Sequence, residues 1–98
     1  VKLPIVLRAE AEVEFDDSFD WFNARRTGRG LEFAAAIENV LNKIAANPLI
    51  GPVVFADIRK CVVRRFTFNV YYRPHFNWIE VVAVFHTSRD PKIWKGRV

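Results

Sequence analysis

Residues 31–56 read LEFAAAIENVLNKIAANPLIGPVVFA, and the change of rhythm inside this stretch decides the fold. In its first part Phe33, Ile37, Val40, Leu41 and Ile44 recur at the spacing of one helix face, while Ala34, Ala35, Ala36 and Ala45 favour helix. Asn47-Pro48 ends that helix, because a residue before proline is pushed out of the helical region. After Gly51-Pro52 the apolar period drops to two, the mark of strands. The stretch predicts a helix over 31–46 and a strand over 53–56.

The pattern extends in both directions. Upstream, Ala11, Phe15, Ser18, Phe19 and Phe22 share one helix face, so a second helix is expected over 11–25. Glu10, Glu12, Glu14, Asp16 and Asp17 crowd its first turns and Arg25 and Arg26 its end, as the helix dipole favours; the acidic run reads as a solvated face. Gly28 and Gly30 break this helix and turn the two into an antiparallel hairpin. Residues 2–7 read as a strand whose Pro4 confines it to an edge. Downstream, alternation predicts strands over 59–66, 68–73 and 78–85, the last two joined by a turn at Pro74-His75-Phe76-Asn77. The last strand is apolar on both faces except for Glu80, so an interior place in the sheet is expected. The expected class is α+β, one domain over 1–98: an N-terminal strand and helical hairpin packed on a mostly antiparallel sheet, in the order βααββββ.

Composition bounds the function. Ninety-eight residues suffice for one modest core. Hydrophobic content of 51% and aromatic content of 14% exclude a disordered chain. Cys61 is the sole cysteine, which rules out an internal disulfide and a multi-cysteine zinc site and fits a reducing, cytoplasmic setting. No metal and no cofactor are expected. The Val1–Leu7 segment lacks the features of a signal peptide, and no apolar run reaches the roughly 20 residues that span a bilayer, so no membrane partner is expected. Residues 1–57 carry six Lys/Arg against nine Asp/Glu, whereas residues 58–98 carry nine against two, so the excess of positive charge lies entirely in the strand half. That half presents either an ordinary solvated strand face or a surface for an acidic partner.

Few residues suggest catalysis. His86, with Arg64, Arg65 and Arg89, has the residue types for general acid–base cleavage of RNA, in which cations stabilise the phosphorane; a lone histidine at a strand end also reads as structural. His75 reads as a surface loop residue and Cys61 as a small core residue. Ser18 and Ser88 lack a nucleophile-elbow context. Arg59-Lys60-Cys61-Val62-Val63-Arg64-Arg65-Phe66 mixes cations with apolar residues, as nucleic-acid binders and alternating strands both do.

Nearly end to end, the chain resembles the RelE/ParE superfamily of toxins from bacterial type II toxin–antitoxin systems. The resemblance rests on Ala11-Glu12, Trp21-Phe22, Gly30-Leu31-Glu32-Phe33, Asn47-Pro48 with Gly51-Pro52, Ile58-Arg59-Lys60, Arg65-Phe66-Thr67-Phe68-Asn69-Val70-Tyr71-Tyr72-Arg73, and the closing His86-x-x-Arg89-Asp90-Pro91-x-x-Trp94 pattern. It implies the same βααββββ order. RelE-like members cut messenger RNA in the ribosomal A site, using an arginine on the third sheet strand and a C-terminal histidine or tyrosine. Here Asn69 takes the arginine's place and no tyrosine follows Tyr72. The pattern looks more like the ParE, or plasmid stabilisation, branch, whose assigned members poison DNA gyrase without enzymatic activity. The alternatives are a ribosome-dependent mRNA endoribonuclease and a toxin-fold binding module that is no longer toxic.

The resemblance further implies a cognate ParD-like antitoxin with a DNA-binding N-terminal part and a flexible C-terminal tail. An acidic, amphipathic tail of that kind finds cationic rims and apolar anchors here. The residues expected to face target or antitoxin are Arg59, Arg64, Arg65, Arg73, His86, Arg89, Lys92, Trp94 and Lys95, with Trp21, Phe22 and Trp78 as apolar anchors. Core packing is the other reading for each aromatic except Trp94, which follows the last strand.

Overall fold

A computed structural model of the chain describes residues 2–98. The elements are β1 (Ile5–Leu7), α1 (Ala9–Arg25), α2 (Arg29–Ala46), β2 (Val53–Phe55), β3 (Ile58–Val63), a 3-10 turn (Arg64–Phe66), β4 (Phe68–Pro74), β5 (Ile79–His86) and α3 (Lys92–Lys95). The expected order holds, with a short terminal helix added. The strand expected over 59–66 stops at Val63, where the 3-10 turn reverses direction through Thr67 at φ +54°.

The five strands lie in the order β1-β5-β4-β3-β2. All neighbours are antiparallel except β1 and β5, which run parallel with Ile5 opposite Ile79. Pro4 precedes the edge strand β1, and its carbonyl accepts the N–H of Ile79 at 2.9 Å. β5 lies inside the sheet because both its faces are apolar. Tyr71 pairs with Ala83 but Tyr72 with Val81, so Val82 is an extra residue that bends β5. The bulge shifts the alternation: Val81 faces the helices, while Val82, Ala83 and Phe85 join a second cluster.

Two cores result. Phe33, Ile37, Val40 and Ile44 of α2, with Ala11 of α1, pack on Val70, Tyr72, Ile79 and Val81. On the other face, Trp94 of α3 covers Ile58, Tyr71, Val82, Ala83 and Phe85. Trp94 was expected on a binding surface, but it is 2% exposed, stacked on Tyr71 with ring centroids 4.2 Å apart. A one-layer helical hairpin leaves the far side of the sheet wet, and the tail closes it. Burying an indole contributes roughly 4–6 kcal/mol before costs, at about 25 cal/mol per Å².

The hairpin turn depends on two glycines. Gly28 has φ +88°, a conformation that L side chains rarely adopt. Gly30 lies inside α2, where a Cβ would come within 2.8 Å of the Phe19 carbonyl, so its absence lets α1 and α2 approach. Helix α2 therefore starts at Arg29 rather than Leu31. At the far end of α2, the buried Tyr72 hydroxyl donates to the Pro48 carbonyl at 2.8 Å and accepts the Gly51 N–H at 3.0 Å, pinning the loop into β2.

Candidate functional site

An open groove of about 610 Å³ lies where the end of α1 meets the ends of β4 and β5. Asp17, Ser18, Trp21 and Phe22 form the α1 wall, and Arg29 lies at the start of α2. Arg65, Phe66, Thr67 and Phe68 form the floor, and His86, Ser88 and Arg89 the far rim. The floor is an aromatic stack: the Phe22 ring stands 5.1 Å from Phe33, 5.1 Å from Phe66 and 6.0 Å from Phe68. Phe22 is thus part of the core and of the groove at once. Trp21 sits above it edge-on and is 51% exposed.

His86 lies opposite Phe68 in the ladder and meets its ring edge-on at 5.2 Å. Its Nδ1 accepts the backbone N–H of Ser88 at 3.0 Å and lies 2.7 Å from the Ser88 hydroxyl. A backbone N–H only donates, so the ring proton sits on Nε2. Nε2 then donates to Thr67 Oγ1 at 3.0 Å, and that hydroxyl donates onward to the Phe66 carbonyl at 2.6 Å. Both imidazole nitrogens are therefore spent on the turns that close the groove. Thr67 reaches this position only because it adopts φ +54°, a left-handed conformation that is strained for a β-branched residue by roughly 1–3 kcal/mol.

The cations around the groove are also engaged. Arg29 and Arg65 both pair with Glu32, at 3.3 and 3.1 Å. Arg89 pairs with Glu14 at 3.2 Å and lies over the Phe85 ring. Glu14 is the hub of a second cluster. It receives a bidentate pair from Arg97 at 2.7 and 3.1 Å and the backbone N–H of Val84 at 3.1 Å, and Arg97 donates onward to the Val82 carbonyl. β1 ends at Leu7, opposite Val81, and beyond that point Glu14 and Arg97 meet the backbone of β5 in its place. Glu14 had been read with the solvated acidic face, yet its side chain is only 9% exposed.

Of the residues singled out in the sequence, Trp21, Phe22, Arg65, His86 and Arg89 meet in the groove. Arg64 faces a neighbouring depression between α2 and β3. The others lie elsewhere. Arg59 donates to the Leu49 and Gly51 carbonyls and clamps the loop before β2. Arg73 pairs with Asp57 and Glu80. Trp78 stacks on His75 at 4.3 Å, and His75 is not a free loop residue, since its Nε2 lies 3.0 Å from Glu80. Burial raises the Glu80 pKa, but hydrogen bonds from His75 and Arg8 and the charges of Arg73 and Arg8 outweigh it, so Glu80 titrates below the ordinary carboxylate value. Lys92 is exposed on α3, while Lys95 stands 5.1 Å over Phe55 and Trp94 is buried beneath. Asn69, matched by resemblance to a catalytic arginine, does not reach the groove. Its amide donates to the Tyr71 hydroxyl at 3.2 Å, and residues two apart on a strand share a face, here the one covered by α3.

Ser88, Thr67, Arg29, Glu14 and Arg97 were not singled out by sequence. Only Ser88, two residues beyond His86, carried a readable signal. Cys61 is partly buried, and burial pushes its thiol pKa up. Among the described residues no group of three or more His, Cys, Asp or Glu stands together as a metal site, and no helix is long and apolar enough to cross a membrane.

The model of the ParE toxin of the type II toxin–antitoxin system parDE matches residues 5–91. No curated protein sequence matches the chain. Among solved structures, the chromosomal ParDE toxin–antitoxin system from P. aeruginosa is similar with a TM-score of 0.65 and 14% identity, over 87% of this chain and 96% of that one. The RelBE2 toxin–antitoxin complex from Mycobacterium tuberculosis is similar with a TM-score of 0.64 and 17% identity, over 88% and 99%. At such identities these two likenesses speak to the fold.

Proposed function

The chain belongs to the ParE toxin family of type II toxin–antitoxin systems, and from that premise we propose that it is a non-enzymatic inhibitor of DNA gyrase, one domain over residues 1–98, held inactive in the cytoplasm by a ParD-like antitoxin. The observation that carries this reading over a ribosome-dependent mRNA endoribonuclease is the bonding of His86. Transesterification of RNA needs one group to take the 2′-hydroxyl proton and one to protonate the leaving oxygen. His86 holds the Ser88 N–H with one nitrogen and Thr67 with the other, so neither is presented to a substrate. Arg29, Arg65 and Arg89 can hold a phosphate, but a guanidinium stays protonated and supplies neither the base nor the acid that cleavage needs. The groove is suited to binding rather than bond breaking. Its aromatic floor and exposed Trp21 fit apolar side chains of an antitoxin tail that folds as it docks.

The test is a paired assay on antitoxin-free protein: gyrase supercoiling with a DNA-cleavage readout, and mRNA cleavage on programmed ribosomes. The expected result is gyrase inhibition with intact mRNA, and a His86→Gln variant that inhibits gyrase as the parent does. A-site cleavage of mRNA with unaffected gyrase, abolished in His86→Gln, overturns the proposal in favour of the endoribonuclease.

A further inference from the structure

Arg25, Arg26, Arg29, Arg64 and Arg65 lie on or beside the α1–α2 turn and the 3-10 turn, which meet through Glu32, with Arg64 beside Arg65 and Arg25 on Trp21 at the groove wall. Three of them converge on one carboxylate: Glu32 lies 2.7 Å from Arg26, 3.3 Å from Arg29 and 3.1 Å from Arg65. Glu32, and Asp17 across the groove, are the acids that line this region, so five guanidiniums leave a local excess of positive charge. Arg26 and Arg65 remain 65% and 62% exposed. A guanidinium has five N–H donors, and Glu32 engages only part of each set, so it holds the forks in place while other donors face solvent. Ordering of this kind is what makes a phosphate site, since the cost of fixing long side chains is met before the ligand arrives.

We propose that this arginine corner binds the phosphodiester backbone of duplex DNA without reading its sequence. Every cation in it is arginine, whose planar fork matches phosphate oxygens in pairs. Single strands are held largely by stacking bases on open aromatic rings. Here Phe66 is 4% exposed, with Arg29 and Arg65 over it at 4.3 and 5.6 Å, and the Arg25 guanidinium takes one face of the half-exposed Trp21 at 3.3 Å, so no row of open rings is left for successive bases. Backbone contact is what remains. Duplex DNA also presents about one charge per 1.7 Å of axis, a density that an acidic peptide does not reach. The site requires no gyrase, so it stands or falls separately from the inhibitor reading.

The experiment measures binding of the purified chain to a short labelled DNA duplex by fluorescence anisotropy over a series of salt concentrations. The Arg26→Gln/Arg65→Gln variant changes two exposed side chains. It is expected to keep the parent's circular dichroism, bind at least about 10-fold more weakly at low salt, and flatten the slope of log K against log salt by about 1.8, two phosphate contacts at about 0.9 each. If that variant fails to fold, Arg25→Gln/Arg64→Gln takes its place with the same expectation. Lys2→Gln/Lys92→Gln removes equal charge from exposed side chains outside the corner, Lys92 being on α3 across the sheet, and is expected to stay within about twofold of the parent. The proposal is overturned by absence of duplex binding at low salt, by equal losses in the lysine and arginine variants, or by tighter binding to a single strand. Displacement of the duplex by polyglutamate at equal charge also overturns it, in favour of an acidic protein partner.

Discussion

Replacing Glu14 with alanine is expected to destabilise the protein far more than any other change in the acidic run of α1. The carboxylate accepts from Arg97 twice, from Arg89 and from the Val84 backbone. Its loss leaves the Val84 N–H without its acceptor, at about 1–3 kcal/mol. It also strands Arg97, whose side chain is only 12% exposed and whose hydrogen bonds to Glu14 hold its pKa above the ordinary arginine value despite burial. Arg89 is 43% exposed, so its share is small. Removing one partner of a buried pair costs about 3–5 kcal/mol, and Glu14→Ala falls in that range. For a domain of this size it lowers the melting temperature by roughly 12 °C or more. Urea unfolding followed by tryptophan fluorescence measures the loss, with Asp16→Ala as the exposed control, expected within about 0.5 kcal/mol of the parent. A double-mutant cycle with Arg97→Ala should return a coupling of at least about 1 kcal/mol. If Glu14→Ala proves as harmless as Asp16→Ala, the hub does not hold the tail, and the account of how β5 is closed beyond β1 is wrong.

Two further outcomes follow from the fold. Trp94→Ala should cost about 3–5 kcal/mol in urea unfolding by emptying the outer core, while Trp94→Phe falls well short of that, because the buried indole N–H it removes has no acceptor. Glu80 titrates below 4.5 in the folded protein, so its stabilisation is fully present above the unfolded value and is lost as pH falls through the folded one. Stability measured from neutral pH to below pH 4.5 should therefore decline less steeply in Glu80→Gln than in the parent; parallel acid limbs would rule out Glu80 as a contributor.

The helical hairpin and the strands were legible because burial repeats with a fixed period. Phe33, Ile37, Val40 and Ile44 announce their face of α2, and the doubly apolar β5 announces an interior strand. The parallel pairing of β1 was not legible, since an alternating segment carries no sign of its partner's direction. Trp94 was misplaced because a four-residue helix has no period to detect, and nothing local says that the sheet's second face lacks a cover. Glu14 looked like its neighbours because one buried carboxylate in a run of acids differs only through contacts some seventy to eighty residues away. About the groove, sequence supplied the aromatics and His86, but not that both imidazole nitrogens are taken, a fact that depends on the strained turn at Thr67.

The parallel pairing of β1 with β5 also sets a clock. The strand that completes the inner sheet is made last, roughly seventy residues after the one it joins, which at 5–20 residues per second is about 4–15 s of synthesis. Until β5 is made the helical hairpin lacks Ile79, Val81 and Val84 of its apolar bed, and the outer face has no lid. A nascent chain therefore lacks its finished sheet until β5 has been translated. A protein that binds exposed apolar segments could engage it during this time, before a finished toxin exists to be neutralised.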